Sequence, residues 1–123
     1  MLITPFFTEN HNIFRESVRN FATKELWPKR EEWEAKGIFD RSVFNRAGEL
    51  GLFGINVPEE YGGSNLDYWY TVAYAEELPR CGMGGVPMAL MVQSDMAGPH
   101  LLHFGTHDQK KEFLAPAVRG EKI

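Results

Sequence analysis

The sequence predicts an all-α domain of about five helices, and three observations carry that expectation. Apolar residues recur at helical spacing in several segments, as in Phe14, Val18, Phe21, Ala22 and Leu26. No alternation of period two runs long enough to suggest a half-buried strand. The periodic segments are also punctuated by helix caps, glycines and prolines where helices start and stop.

The first helix is expected to begin at Thr8, a usable cap, with Glu9 in the first turn where the helix dipole favours an acid. Pro28 interrupts its apolar face, because proline lacks an N–H and presses on the carbonyl of Lys24, so a kink is expected there. A charged continuation, Glu31 to Lys36 with Trp33 turned inward, ends at Gly37. Asp40 caps a second helix with Val43, Phe44, Ala47 and Leu50 on one side. The stretch Glu49-Leu-Gly-Leu-Phe-Gly-Ile-Asn-Val-Pro-Glu-Glu-Tyr-Gly-Gly63 then reads as a helix end, a hydrophobic crossing and two turns, with Gly51, Gly62 and Gly63 suited to positive φ.

Ser64 or Asn65 is read as the cap of a third helix from Leu66 to about Leu78. Its apolar residues lie almost all round, which predicts a buried helix. Pro87 suits the first position of a fourth helix, with Met88, Met91, Val92, Met96 and Leu102 apolar, an irregularity at Pro99 and a stop at Gly105. Thr106-His-Asp-Gln109 is a capping box opening a fifth helix, with Phe113, Leu114, Ala117 and Val118 inward.

With 123 residues and 43% hydrophobic content, the chain is read as one domain, residues 1–123, able to bury a core without metal or disulfides. A net charge of −4 argues against a nucleic-acid role, which needs a basic face. The single cysteine, Cys81, fits a reducing compartment and reads as a small buried hydrophobe. No apolar run reaches the ~20 residues of a membrane span. The opening Met1-Leu-Ile-Thr-Pro-Phe-Phe7 lacks the character of a secretory or transit leader, so the cytoplasm is the expected location.

No catalytic constellation emerges from the residues. Gly82, Gly84 and Gly85 follow a helix, whereas phosphate loops follow a strand, so a tight helix connection is the better reading. His100, His103 and His107 are split by Gly105-Thr106 and lack a helix-held carboxylate partner, so no metal site is assigned. The adjacent acids Glu59-Glu60 and Glu76-Glu77 point to different sides and read as solvated charge. Met83, Met88, Met91 and Met96 serve equally as core filler or as a flexible lining for a long apolar guest.

The order Leu-Gly-Leu-Phe-Gly-Ile…Pro-Glu-Glu-Tyr-Gly-Gly (residues 50–63) resembles a signature of the acyl-CoA dehydrogenase amino-terminal domain. Phe104-Gly-Thr-His-Asp-Gln-Lys-Lys-Glu-Phe-Leu-Ala-Pro116 resembles a second block at the right distance. Phe14 to Ala22, Glu25 to Pro28 and Glu32-Trp-Glu34 resemble the family's first helix, and Ala75 to Leu78 its third. Val92-Gln-Ser94 stands where members similar to the long-chain enzymes often have an apolar residue, His and Ser. Gln93 departs from that histidine.

The resemblance implies an orthogonal multi-helix array that is the first domain of a larger enzyme. A β-rich middle domain and a carboxy-terminal helical bundle follow in the family. Together they bind FAD and oxidise an acyl-CoA to its trans-2-enoyl product, passing electrons to an electron-transfer flavoprotein. The flavin segment and the glutamate base belong to those other domains, so no catalytic or flavin-binding residue is assigned here, and this polypeptide alone is expected to be inert. The family's fourth helix lines the acyl pocket, which points to Ala89, Val92, Gln93 and Met96. A homo-oligomer is expected, since large exposed apolar patches drive association. Nitroalkane oxidases and flavin monooxygenases share the architecture, and a non-enzymatic helical interaction module is the alternative of a different class.

Overall fold

The structure, a computed structural model, describes residues 4–123; Met1, Leu2 and Ile3, part of the segment read for a leader, lie outside the described residues. Five helical runs and no strand are found among them. These are α1 (residues 9–36), α2 (Ser42–Glu49), α3 (residues 68–81), α4 (residues 85–104) and α5 (residues 107–118). A short 3-10 turn, Glu59–Tyr61, lies in the connection after α2. The chain divides into two compact units, one of residues up to 39 with 67–87, the other of 40–66 with 88–123.

Three of the prolines inside these runs, Pro28, Pro99 and Pro116, are accommodated in the same way. Proline at position i offers no N–H to the carbonyl of i−4 and its ring presses on that carbonyl. In all three cases the residue before the proline donates its N–H five positions back: Trp27 to Ala22 ahead of Pro28, Gly98 to Gln93 ahead of Pro99, and Ala115 to Lys110 ahead of Pro116. The widened turns are the π-helical segments Phe21–Leu26, Val92–Ala97 and Lys110–Leu114. Each run continues through its proline because its hydrogen-bond period changes; after Pro28 the backbone tightens to 3-10 at Trp27–Lys29 before resuming as α-helix.

In the first unit α1 packs along α3. Thr8 caps α1 as expected, and His11 completes a capping box that the sequence reading missed. The Thr8 N–H donates to His11 Nδ1 at 3.0 Å, so the ring's Nε2–H donates to Asp67 at 3.0 Å. Asp67 in turn accepts the Trp69 N–H at 2.9 Å. This corrects the expected cap of α3: Asp67, and neither Ser64 nor Asn65, starts the helix, which opens at Tyr68. Nor is α3 buried all round. Thr71, Ala73, Tyr74 and Glu77 are buried, whereas Tyr68 is 69% exposed, because tyrosine is counted as apolar in a pattern yet tolerates water through its hydroxyl. Val18, Phe21, Ala22 and Leu26 of α1 are buried as expected, with Phe14 only partly so.

Glu77 overturns the reading of Glu76-Glu77 as solvated charge. Its side chain is 1% exposed and accepts from Arg15 Nη1 at 2.9 Å, Arg19 Nε at 2.8 Å and Arg19 Nη2 at 3.0 Å, with Arg80 Nε as a further donor. Glu76 lies half-exposed against Arg15 Nη2 at 2.6 Å. Burial favours the neutral form of Glu77, but the hydrogen bonds from Arg19, Arg15 and Arg80 prevail and bring its pKa down from 4.5 to about 2.

In the second unit Arg41 takes the cap position of α2, one residue past the expected Asp40, whose carboxylate accepts the Ser42 N–H at 2.9 Å; Val43, Phe44 and Ala47 are buried. Leu52, Phe53, Ile55 and Val57 form the buried crossing that follows. The chain then doubles back, with Ser64, Asn65 and Leu66 donating their N–H groups to the carbonyls of Gly54, Val57 and Ile55. Gly51 and Gly62 adopt the expected positive φ, at 75° and 86°. Gly63 does not, and is needed instead for space, since a Cβ there would lie 2.0 Å from the Val57 oxygen. Tyr61, Val57, Leu114 and Val118 form a buried cluster, against which Leu101 and Leu102 pack.

Glu77 carries a stability consequence with a defined sign. Its folded pKa lies below its unfolded value, so the cluster's contribution is complete above about pH 5 and is lost as pH falls from 4.5 toward 2. Glu77→Ala is expected to cost about 3–5 kcal/mol by leaving arginine charge unpaired beside the core, and Glu76→Ala under about 1 kcal/mol. Urea denaturation of both variants at pH 7 and pH 3 checks this; equal losses at pH 7 would remove the special role of Glu77.

Candidate functional site

The second unit holds an apolar cavity of about 290 Å³. Ala89, Val92, Gln93, Ala97, Gly98 and Leu101 of α4 form one side, and Phe113, Leu114, Ala117 and Val118 of α5 another; Phe53, Lys122 and Ile123 complete it. Two of the proline-widened turns contribute to this lining. Val92, Gln93 and Ala97 belong to the turn ahead of Pro99, and Phe113 and Leu114 to the one ahead of Pro116. A π-turn inserts a residue and rotates the side chains beyond it, which places neighbours on a face that a regular helix would separate.

Of the four side chains expected near an acyl chain, the structure brings Ala89, Val92 and Gln93 to the cavity. Met96 is 58% exposed and does not line it. Met88 is likewise 63% exposed, and the buried residues of this helix are Val86, Pro87 and Leu90. Pro87 also lies two residues inside α4, which begins at Gly85. The widened turn sets Met96 off the face that carries Ala89, Val92 and Gln93, because across Val92–Ala97 the helical period is no longer 3.6.

The polar groups of the site are few. Gln93 Nε2 donates to the carbonyls of Ala117 at 2.9 Å and Lys122 at 3.1 Å. Lys122 Nζ donates to the Glu112 carbonyl at 3.0 Å and stands 5.0 Å above the Phe113 ring. Beside the turn, burial pushes the Asp95 carboxyl up, against a hydrogen bond from Ser94 Oγ at 2.8 Å. The lining residues missed by the sequence reading are Phe53, Ala97, Gly98, Leu101, Lys122 and Ile123. Phe113, Leu114, Ala117 and Val118 were legible as an inward face, but nothing in the sequence said that this face meets α4.

Two of the three histidines considered for metal have other partners. His107 Nδ1 accepts from the Tyr61 hydroxyl at 2.8 Å, and His100 Nδ1 donates to the Met96 carbonyl at 2.6 Å. No group of three metal-binding side chains occurs among the described residues. Cys81 is buried, its thiol near the Met83 carbonyl at 3.8 Å and its pKa raised by burial. No helix among the described residues is long and apolar enough to cross a membrane.

Residues 8–121 match the acyl-CoA dehydrogenase N-terminal domain. The chain is 36% identical over 121 residues to the mitochondrial long-chain specific acyl-CoA dehydrogenase of Rattus norvegicus, covering 98% of this chain and 28% of that protein. It is 40% identical over 116 residues to the mitochondrial short-chain specific acyl-CoA dehydrogenase of Bos taurus, covering 94% of this chain and 28% of that one. Among solved structures it superimposes on the acyl-CoA dehydrogenase of Bacillus anthracis complexed with FAD at a TM-score of 0.87 and 35% identity, covering 98% of this chain and 21% of that one. The chain thus spans under a third of the length of these relatives.

Proposed function

The chain belongs to the acyl-CoA dehydrogenase family, as its amino-terminal domain, and from that membership we propose that it forms part of the acyl pocket of an FAD-dependent enzyme that oxidises acyl-CoA thioesters. One observation carries this reading: the apolar cavity between α4 and α5 is lined by Ala89, Val92 and Gln93. A site of mostly apolar walls with a few fixed polar groups suits a hydrocarbon tail, which offers no hydrogen bonds. Met96 is proposed as a further contact on the solvent-facing side of the same helix, where a thioether adapts to an irregular apolar partner. The relatives named above include a long-chain and a short-chain enzyme, so no chain length is proposed.

FAD is proposed as the cofactor of the whole enzyme. Gly84 and Gly85 border open space and the position above Gly82 is filled by the Trp27 ring, so these glycines by themselves give no ground for assigning a flavin contact. No residue of this chain is assigned to the flavin and none is given a catalytic role. An electron-transfer flavoprotein as electron acceptor is proposed on family grounds. Self-association is proposed on the exposure of Phe104 (84%), Met88 and Phe113. A reducing compartment such as the cytoplasm suits the buried free thiol of Cys81. The readings as nitroalkane oxidase, flavin monooxygenase or interaction module gain no support from the two enzymes named above, which are acyl-CoA dehydrogenases.

In the intact enzyme, Val92→Trp should shorten the preferred acyl chain. Burial of a methylene is worth about 0.8 kcal/mol, so losing room for two shifts the preference by roughly an order of magnitude. An unchanged profile of kcat/KM against chain length would remove Val92 from the pocket.

The 123-residue polypeptide by itself is expected to be colourless after purification and not to reduce an electron acceptor when given FAD and acyl-CoA. Proton abstraction and hydride removal need a positioned base and a flavin held opposite each other, and no such arrangement is present among the described residues. A stoichiometric flavin spectrum, or turnover that survives removal of contaminating enzyme, would show a site unassigned here.

A further inference from the structure

We propose that Gln93 is a positioning residue that sets the length of the cavity by clamping the turn after α5 across it. The inference rests on the reading of this cavity as an acyl pocket and concerns how its size is fixed. Gln93 uses both hydrogens of its side-chain amide on carbonyls beyond the middle of α5, those of Ala117 and Lys122. Ala117 and Lys122 themselves line the cavity, so the amide ties two of its walls together from a third.

The other end of the clamp follows from proline. Pro116 cannot donate to the carbonyl four residues back, which is that of Glu112. That carbonyl instead accepts Lys122 Nζ at 3.0 Å. Lys122 is therefore held twice, by its main-chain carbonyl on Gln93 and by its ammonium on Glu112, with its stem across the Phe113 ring. Turning the chain into this position requires Gly120, whose φ of 73° is left-handed and whose absent Cβ would meet the Phe44 oxygen at 2.0 Å. Asn45 Nδ2 fixes the Gly120 carbonyl at 3.1 Å, and Arg41 Nη2 the Glu121 carbonyl at 3.1 Å. These bonds hold the turn from the α2 side, and Gln93 reaches it from the side chains of α4.

An amide so engaged is not a donor to a ligand. Its role is to hold Lys122, part of the cavity lining, in place, so that a straight apolar guest too long for the lined space must displace it. Breaking the clamp lengthens the space available.

The test uses the 123-residue chain and the straight-chain 1-alkanols from butanol to dodecanol, followed by NMR shifts of the cavity methyls of Val92, Leu101 and Leu114. The wild type should gain about fourfold in affinity per added methylene up to a cut-off and then stop gaining. Gln93→Met keeps the side-chain length but has no donors. It should move the cut-off out by at least two carbons and speed amide exchange at Gly120 and Glu121 about tenfold or more. Lys122→Met, a change at an exposed position that leaves the core intact, should do the same, and the double variant should add little beyond either single one.

If alkanols bind the wild type with a cut-off that neither variant moves, the clamp is overturned and the acyl-pocket reading survives. If no alkanol shifts the cavity methyls of the wild type, the acyl-pocket reading fails and takes the length-setting role with it. Unchanged exchange at Gly120 and Glu121 in both variants would also overturn the clamp.

Discussion

Proline inside a helix is the constraint on which most of this structure turns. Each of Pro28, Pro99 and Pro116 leaves a carbonyl four residues earlier without its usual donor. The chain answers with a wider turn just before each proline, closed by a bond across five residues. The consequence in the first unit is local, since α1 runs on through a 3-10 segment to Lys36. In the second unit the consequence reaches the cavity, because two of its walls are built from such turns. A regular α-helix through Val92–Ala97 would present a different set of side chains from those observed.

The first unit is organised around a different demand. A carboxylate as enclosed as Glu77 is costly unless its charge is met, and three arginines meet it from two helical runs. The geometry fixes the pairing of α1 with α3 more specifically than apolar contact could, since Val18, Phe21 and Leu26 would tolerate small slides that the guanidinium–carboxylate bonds do not. The His11–Asp67 contact adds a second polar tie between the starts of the same two helices, with each residue also serving its own helix cap.

The cavity shows how little polar chemistry is needed to define an apolar site. Its side chains are chiefly aliphatic and aromatic, and its polar members, Gln93 and Lys122, direct their donors at main-chain carbonyls. Such bonds hold walls in place and leave the interior apolar. The family to which the chain belongs gives this cavity its meaning, since without it an open apolar space of about 290 Å³ would point to no particular guest.

The sequence by itself determined the helical content, the five runs and most of their ends. The caps at Thr8 and Thr106, the Asp40–Ser42 turn at the start of α2 and the stop at Gly37 are local bonds between residues a few positions apart, so they are legible without tertiary knowledge. The two ordered blocks at residues 50–63 and 104–116 likewise carry the family resemblance in their residue order alone. What the sequence did not disclose depends on residues distant along the chain. Glu77 looks like any surface acid until Arg15 and Arg19, some sixty positions earlier, are packed against it. Asp67 caps α3 through a local bond to the Trp69 N–H, but its tie to His11 comes from another helix and is not legible in the sequence. That Met96 lies outside the cavity lining was not legible either, because a periodic pattern assumes a constant number of residues per turn, and the widened turn ahead of Pro99 alters that number. Burial and hydrogen bonding between distant segments are decided only when the chain closes on itself, and those are the terms that select which acid is buried and which helix face meets the cavity.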